Sequence, residues 1–182
     1  MTCIVGLLDA NGDIYMGGDS AGVGGLSLTI RKDPKVFING DFIIGFASSF
    51  RMGQLLQYSW KPPKQNKKDI KTFIYTDVIN SIRKCFKDGG YLQKDKEAEQ
   101  GGRFLIGYKV HLFEVDDDFQ IGYSYDNFLA VGCGSDIALG SLYSTRLNTK
   151  PMQRVGMALE ASEHFSAGVR GPFNIIKLEY SK

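Results

Sequence analysis

The sequence predicts an α+β fold in which two antiparallel sheets form the inner layers of a four-layer α-β-β-α sandwich. The first observation is the order of the patterns, in which strands and helices come in separate runs. Such runs are typical of layered folds with helices outside. The second is the segment 42–46, which is apolar on both faces, as an inner strand is. The third is a pair of Asn-Gly turns that join neighbouring strands.

Composition favours a single domain, 1–182, without a strong electrostatic partner. Hydrophobic residues make up 43% of the chain, and the net charge is +2, so neither nucleic acid nor a membrane is expected as a partner. Cys3, Cys85 and Cys133 are odd in number and far apart, which argues against disulfides. No secretory leader, membrane span or metal-ligand spacing is visible. We therefore expect a cytoplasmic protein with no metal and no cofactor.

The strands at the start of the chain form two hairpins. Residues 3–8 and 14–18 flank Asn11-Gly12, and the second of these strands leads to Asp19. The glycine-rich segment 21–29 predicts a loop or a loose strand. A second hairpin then runs through Lys35 to Ile38, the Asn39-Gly40 turn and the apolar segment 42–46.

Two helices follow, each with a recognisable start. Ser48-Ser49 is a candidate cap for the first helix, and Asp69 is a candidate cap for the second, which ends at Gly89-Gly90. The segment 91–102 predicts a surface loop. The later predicted elements are strands at 103–110, 112–115, 121–124 and 128–131, a helix capped by Ser135-Asp136, a helix with Pro151 in its first turn, and a strand at 173–178.

Thr2 stands directly behind Met1 and directly before the first strand. If Met1 is removed, Thr2 carries a hydroxyl and a free α-amine on the same carbon. An α-amine has an ordinary pKa of about 7.7–8.0, so it can take the hydroxyl proton near neutral pH. Threonine paired with its own amine is a known form of activated nucleophile. Thr2 is therefore a candidate nucleophile, and the alternative is an ordinary second residue.

Several motifs, taken in order, resemble the proteasome β-subunits and the HslV-like N-terminal nucleophile hydrolases. The resemblance spans nearly the whole chain. It is carried by Thr2-Cys3-Ile4-Val5-Gly6, Gly18-Asp19, Lys35-Val36-Phe37, Ile44-Gly45-Phe46-Ala47, Gly132-Cys133-Gly134-Ser135 and Ala158-Leu159-Glu160-Ala161.

The resemblance implies a threonine-type endopeptidase with five site residues. Thr2 Oγ would attack a peptide carbonyl, and Lys35, held by Asp19, would favour the neutral form of the amine. The Gly45 N–H would stabilise the oxyanion, and Ser135 would support the amine and its proton. The family further implies a homo-oligomeric ring, unfolded polypeptides as substrates and an ATP-dependent unfoldase as a possible partner.

Some alternatives stay open at this point. Lys32 rivals Lys35, which is preferred because an apolar step follows it. Standard relatives carry an acid and a serine in the loop before the last strand, where this chain has Ser166 and Val169. The supporting polar network is therefore altered, or supplied through backbone and water.

The function also has alternatives. An uncleaved Met1 would block the amine, and the chain would then be a non-catalytic assembly or scaffold subunit. A third reading is a small-amide hydrolase on the same fold, which could even use Cys3 after further trimming.

Overall fold

Two antiparallel sheets form the centre of the protein. The computed structural model describes residues 1–147 and 150–180. The strands are β1 (Cys3–Leu8), β2 (Ile14–Gly18), β3 (Ala21–Gly24), β4 (Ser27–Ile30), β5 (Val36–Asn39), β6 (Phe42–Phe46), β7 (Gln93–Asp95), β8 (Ala98–Gln100), β9 (Phe104–Tyr108), β10 (His111–Val115), β11 (Ile121–Tyr123), β12 (Phe128–Gly132) and β13 (Asn174–Leu178). The helices are α1 (Phe50–Gln54), α2 (Ile70–Phe73), α3 (Ile79–Asp88), α4 (Ser135–Ser144) and α5 (Pro151–Phe165). A π-helical turn at Leu55–Ser59 extends α1, and another at Ile74–Val78 joins α2 to α3.

The first sheet has the strand order β12-β1-β2-β13. Its centre is the predicted β1–β2 hairpin, in which Ile4 lies opposite Gly18. Gly12 takes a φ of +91° in the turn, a conformation that a residue without a Cβ adopts readily. This hairpin brings Thr2 and Asp19, which flank its two strands, to the same end of the sheet.

The second sheet has the strand order β11-β10-β9-β6-β5. All five residues of β6 are buried, and β5 and β9 pair with it on either side. Gly40 turns the β5–β6 hairpin with a φ of +58°. Both the inner strand and the second Asn-Gly turn are thus confirmed.

Three apolar clusters separate four layers. The first lies between the β12-β1-β2-β13 sheet and α4 and α5, and it includes Val5 and Leu159. The second lies between the other sheet and α1 to α3, and it includes Phe104 and Phe86. The third lies between the two sheets. This arrangement confirms the predicted α-β-β-α sandwich.

The helix starts agree with the sequence in three places and differ in one. Ser49 caps α1 by accepting the Arg51 N–H, Asp69 caps α2 by accepting the Thr72 N–H, and Pro151 opens α5. Gly134 occupies the cap position of α4, so the prediction that Ser135 caps this helix was wrong. Within the described ranges, no helix has the length and apolar character to cross a membrane.

Two segments form short hairpins, one where the sequence predicted a loop or a loose strand and one where it predicted a surface loop. The segment 21–29 becomes β3 and β4, and 91–102 contains β7 and β8. The turn residues Gly25 and Lys96 have φ values of +59° and +54°. The residues of β4 and β7 are exposed, so these strands lack the buried apolar pattern by which a strand is recognised in a sequence.

Candidate active site

Thr2, Lys35 and Asp19 meet in one buried cluster. Lys35 Nζ lies 2.8 Å from Thr2 Oγ1 and 2.8 Å from Asp19 Oδ1, and it donates to the Ala21 carbonyl at 2.7 Å. All three side chains belong to residues that are at most 4% exposed. The structure therefore places an ammonium group between a hydroxyl and a carboxylate, away from bulk water.

The cluster assembles because each member stands at the end of a strand. Thr2 precedes β1, Asp19 follows β2, and Lys35 precedes β5 on the facing sheet. Gly18 is needed at this crossing, because a Cβ there would lie 2.9 Å from Ile4 Cδ1 and 3.4 Å from Lys35 Cβ. The absence of a side chain at Gly18 lets the lysine stem pass between the sheets.

The Asp19 carboxylate is anchored by backbone as well as by Lys35. Its Oδ1 accepts the Cys3 N–H at 3.0 Å, and its Oδ2 accepts the Ala21 N–H at 2.9 Å and the Arg170 N–H at 3.3 Å. Burial lowers the pKa of Lys35, and the negative charge of Asp19 opposes that change.

Thr2 has Met1 attached and is held by its neighbours. Its hydroxyl donates to the Met1 carbonyl at 2.5 Å, and its backbone N–H donates to Cys133 Sγ at 3.3 Å. The Gly134 N–H reaches the Thr2 carbonyl at 3.4 Å. The turn between β12 and α4 therefore closes around both backbone groups of Thr2.

Ser135 is not placed as the resemblance implied. Its hydroxyl donates to its neighbour Asp136 at 3.5 Å, whereas the group at the Thr2 nitrogen is Cys133. Ser135 is the first residue of α4. Both residues belong to the same Gly-Cys-Gly-Ser motif, from which the resemblance implied the serine.

Gly45 also fails to fit its implied role. It lies inside β6, opposite Val36 on one side and Leu105 on the other. The Ala47 N–H donates to Arg103 O, on the β9 side, so the alternation of ladder bonds directs the Gly45 N–H to the same side. That N–H is engaged in the sheet, and Gly45 serves instead to let Ile4 and Met16 pack closely.

The structure also places Lys32, Ser166 and Val169, the residues of the remaining alternatives. Lys32 is exposed, whereas Lys35 is buried against Thr2. In the loop before β13, Val169 is fully buried, and Ser166 Oγ lies 3.5 Å from Cys133 Sγ. The loop reaches Asp19 through the Arg170 backbone N–H, so backbone supplies part of the network.

A groove of about 710 Å³ runs beside the cluster. One wall is the segment leading to Lys35, and the other is the start of β13. Arg31 forms part of the first wall, with its guanidinium 3.7 Å from the centre of the Phe50 ring. Among the described residues, no group of three or more His, Cys, Asp and Glu side chains is placed to hold a metal.

Comparison with known proteins gives a match through structure. No family model matches the sequence, and no curated protein matches it. A BPH from Thiobacillus denitrificans in complex with epoxomicin gives a TM-score of 0.80 at 19% identity, over 98% of this chain and 100% of that one. Another structure of the same BPH gives 0.79 at 20% identity, over 98% of each chain.

A eukaryotic HslV from Trypanosoma brucei gives a TM-score of 0.66 at 15% identity, over 98% of this chain and 99% of that one. At these identities the likeness defines the fold, and it extends over nearly the whole of both chains. The chain therefore has the HslV-like fold of the N-terminal nucleophile hydrolases.

Proposed function

We propose that this protein is a threonine-type endopeptidase whose nucleophile is Thr2 Oγ1 after removal of Met1. The observation that carries the proposal is the 2.8 Å contact between Lys35 Nζ and Thr2 Oγ1 inside a buried ion pair. Burying the Lys35 ammonium costs free energy. Its place at hydrogen-bond distance from the Thr2 hydroxyl therefore favours a chemical role for that contact.

The chemistry follows from the groups around that contact. The Thr2 amine takes the proton of Oγ1, and the oxygen attacks the carbonyl carbon of a peptide. The positive charge of Lys35 favours the neutral form of the amine and stabilises the developing alkoxide, and Asp19 keeps that lysine charged. The amine then passes its proton to the leaving nitrogen. Water hydrolyses the Thr2 ester and frees the enzyme.

The oxyanion of the tetrahedral intermediate needs backbone donors other than Gly45. One stretch that leaves the sheet next to this cluster is 47–49, which joins β6 to α1. This stretch lies beside the cluster, because the ring of the next residue, Phe50, has its centre 5.6 Å from Lys35 Nζ. We assign the oxyanion donors to the N–H groups of Ser48 and Ser49.

The setting of the reaction is part of the same proposal. The substrates are unfolded polypeptides, whose extended backbone suits the groove beside Lys35. Copies of the chain form a homo-oligomeric ring in the cytoplasm, and an ATP-dependent unfoldase is the partner that this setting would use. The likeness to HslV supports the ring, and the three free cysteines support a reducing compartment.

The test combines intact mass with epoxomicin, the compound held by the BPH structure. An epoxyketone offers a ketone to the hydroxyl and an epoxide to the amine of one residue, so it reports both groups together. We expect the purified protein to lack one methionine and to gain one epoxomicin. Thr2→Ala should abolish both the adduct and peptide cleavage, whereas Thr29→Ala, on exposed β4, should change neither.

Two results would contradict a threonine-type peptidase. A trimmed protein that never labels and cleaves no peptide at any pH would refute the peptidase. A protein that keeps Met1 in the cell would support the non-catalytic scaffold instead.

A further inference from the structure

The Cys133 sulfur is the acceptor for the Thr2 nitrogen, at 3.3 Å. We propose that Cys133 is a positioning residue for the Thr2 amine, so that the protein works as a peptidase only while this thiol is free. The inference rests on the proposed function, because it assigns Cys133 a role toward the amine that acts as the base.

The hydrogen bonds around the sulfur suit that role. Cys133 Sγ lies 3.4 Å from the Thr2 carbonyl oxygen, to which its S–H is directed. The sulfur lone pairs then remain for an N–H of Thr2. An amine that gives one N–H to sulfur is fixed in rotation, and its own lone pair stays available for the proton of Oγ1. The thiol therefore orients the base without taking the proton itself.

Glycines hold the sulfur in this place. Gly132 has a φ of +102°, and a Cβ there would lie 2.2 Å from the Thr2 carbonyl oxygen. Gly168 approaches from the loop before β13, where a Cβ would lie 2.7 Å from Cys133 Sγ. The turn and the loop can close around the sulfur only because both positions lack side chains.

The thiol is also within reach of small reagents. Cys133 is exposed, whereas Cys3 is fully buried. The Met1 side chain lies next to Gly168, as Cys133 Sγ does, because a Cβ on Gly168 would be 2.5 Å from Met1 Cβ. Removal of Met1 therefore opens the sulfur further. Any group added to Cys133 would occupy the space that the free amine needs.

The first experiment compares variants of the trimmed enzyme on a peptide substrate. Cys133→Ala should lower kcat about five- to tenfold with KM unchanged, the effect of losing one hydrogen bond. Without the sulfur acceptor the ammonium form is less favoured, so the acidic limb of the kcat profile should move to lower pH. Cys133→Ser keeps an acceptor and should restore both values. Cys85→Ser, in the helical layer, is the matched control and should behave as wild type.

The second experiment blocks the thiol with methyl methanethiolsulfonate. The Cys133 thiolate attacks the sulfenyl sulfur, a disulfide forms and methanesulfinate leaves. Wild type and Cys85→Ser should lose peptide cleavage and epoxomicin labelling, and dithiothreitol should restore both. Cys133→Ser should keep both throughout. The inference would be overturned by a wild-type enzyme that stays active when its mass shows that every Cys133 is blocked. A Cys133→Ala variant with wild-type kcat and pH profile would overturn it as well.

A third measurement separates this inference from the proposed function. The blocking rate of Cys133 at pH 7 is compared between the trimmed chain with a free α-amine and the same chain with that amine acetylated. A neighbouring ammonium stabilises the thiolate, so the free-amine form should react severalfold faster. Equal rates would overturn the thiol–amine contact even in an active enzyme. Faster reaction in a protein that never labels with epoxomicin would keep the contact and remove the peptidase.

Discussion

Asp19→Asn is the sharpest perturbation of the buried cluster. The change keeps the shape of the side chain but removes its charge, and it leaves the Lys35 ammonium buried without an anion. In the wild type, Asp19 Oδ1 accepts from Lys35 and the Cys3 N–H, and Oδ2 accepts from the Ala21 and Arg170 N–H groups. The asparagine NH2 must replace one of these oxygens, so a donor would then face two donors. Removing one partner of a buried pair lowers stability by about 3–5 kcal/mol.

Urea and thermal unfolding measure that loss. For a chain of this length, about 2–4 °C of Tm corresponds to each kcal/mol, so the Tm should fall by about 6–20 °C. Asp33→Asn is the matched control, because Asp33 pairs with Arg31 at the surface, where a pair contributes less than about 1 kcal/mol. Adding Lys35→Met to Asp19→Asn should recover part of the loss, since no charge then remains buried.

The loss of stability in Asp19→Asn should depend on pH. Burial lowers the pKa of Lys35 from its ordinary 10.5, and Asp19→Asn removes the main charge that opposes this lowering. Below the pKa of Lys35 in the folded variant, the full cost of burying its charge lowers the free energy of unfolding. That cost decreases as pH rises from this lowered pKa to 10.5, because the folded protein then buries a neutral amine. The destabilisation should therefore shrink toward pH 10. A loss no larger than that of Asp33→Asn, or one that grows with pH, would refute the reasoning.

Other predictions concern glycine and cysteine. Gly45→Ala should destabilise the protein by about 1–3 kcal/mol, because the new Cβ would meet Ile4 Cγ2 at 2.5 Å. Gly140→Ala in α4 adds a Cβ in open space and should stabilise the protein by about 0.5–1 kcal/mol. Urea unfolding of both variants tests this, and equal changes in the free energy of unfolding would contradict it. Burial raises the pKa of Cys3 to about 12, so iodoacetamide at pH 8 should modify Cys133 and spare Cys3 in the folded protein; peptide mass mapping that finds Cys3 modified first would contradict the burial.

The fold was accessible from the sequence because its signals are local. Asn-Gly turns, helix caps and the doubly apolar β6 each lie within a few residues, and together they define the layers. The hairpin β7–β8 was not predicted and β3–β4 was predicted only as a loop or a loose strand, because the residues of β4 and β7 are exposed and no buried apolar face marks them.

The site was only partly accessible, since it depends on contacts between distant segments. Asp19 and Lys35 were implied by the resemblance, whose motifs lie at strand ends that a sequence can indicate. Which side chain of the 132–135 turn meets the Thr2 nitrogen depends on how that turn bends, and in the structure it is Cys133, whereas Ser135 bonds to Asp136. Gly45 was misjudged for a similar reason, because the direction of its N–H depends on the register between β6 and β9.

The four donors to Asp19 come from positions as far apart as Cys3 and Arg170. A nascent chain cannot complete this arrangement until the segment around residue 170 has left the ribosome and docked against β2. Shorter nascent chains therefore lack one of the donors that hold the Asp19 carboxylate. The ion pair beside Thr2 is in this way completed only after segments far apart in the chain have been synthesised and brought together.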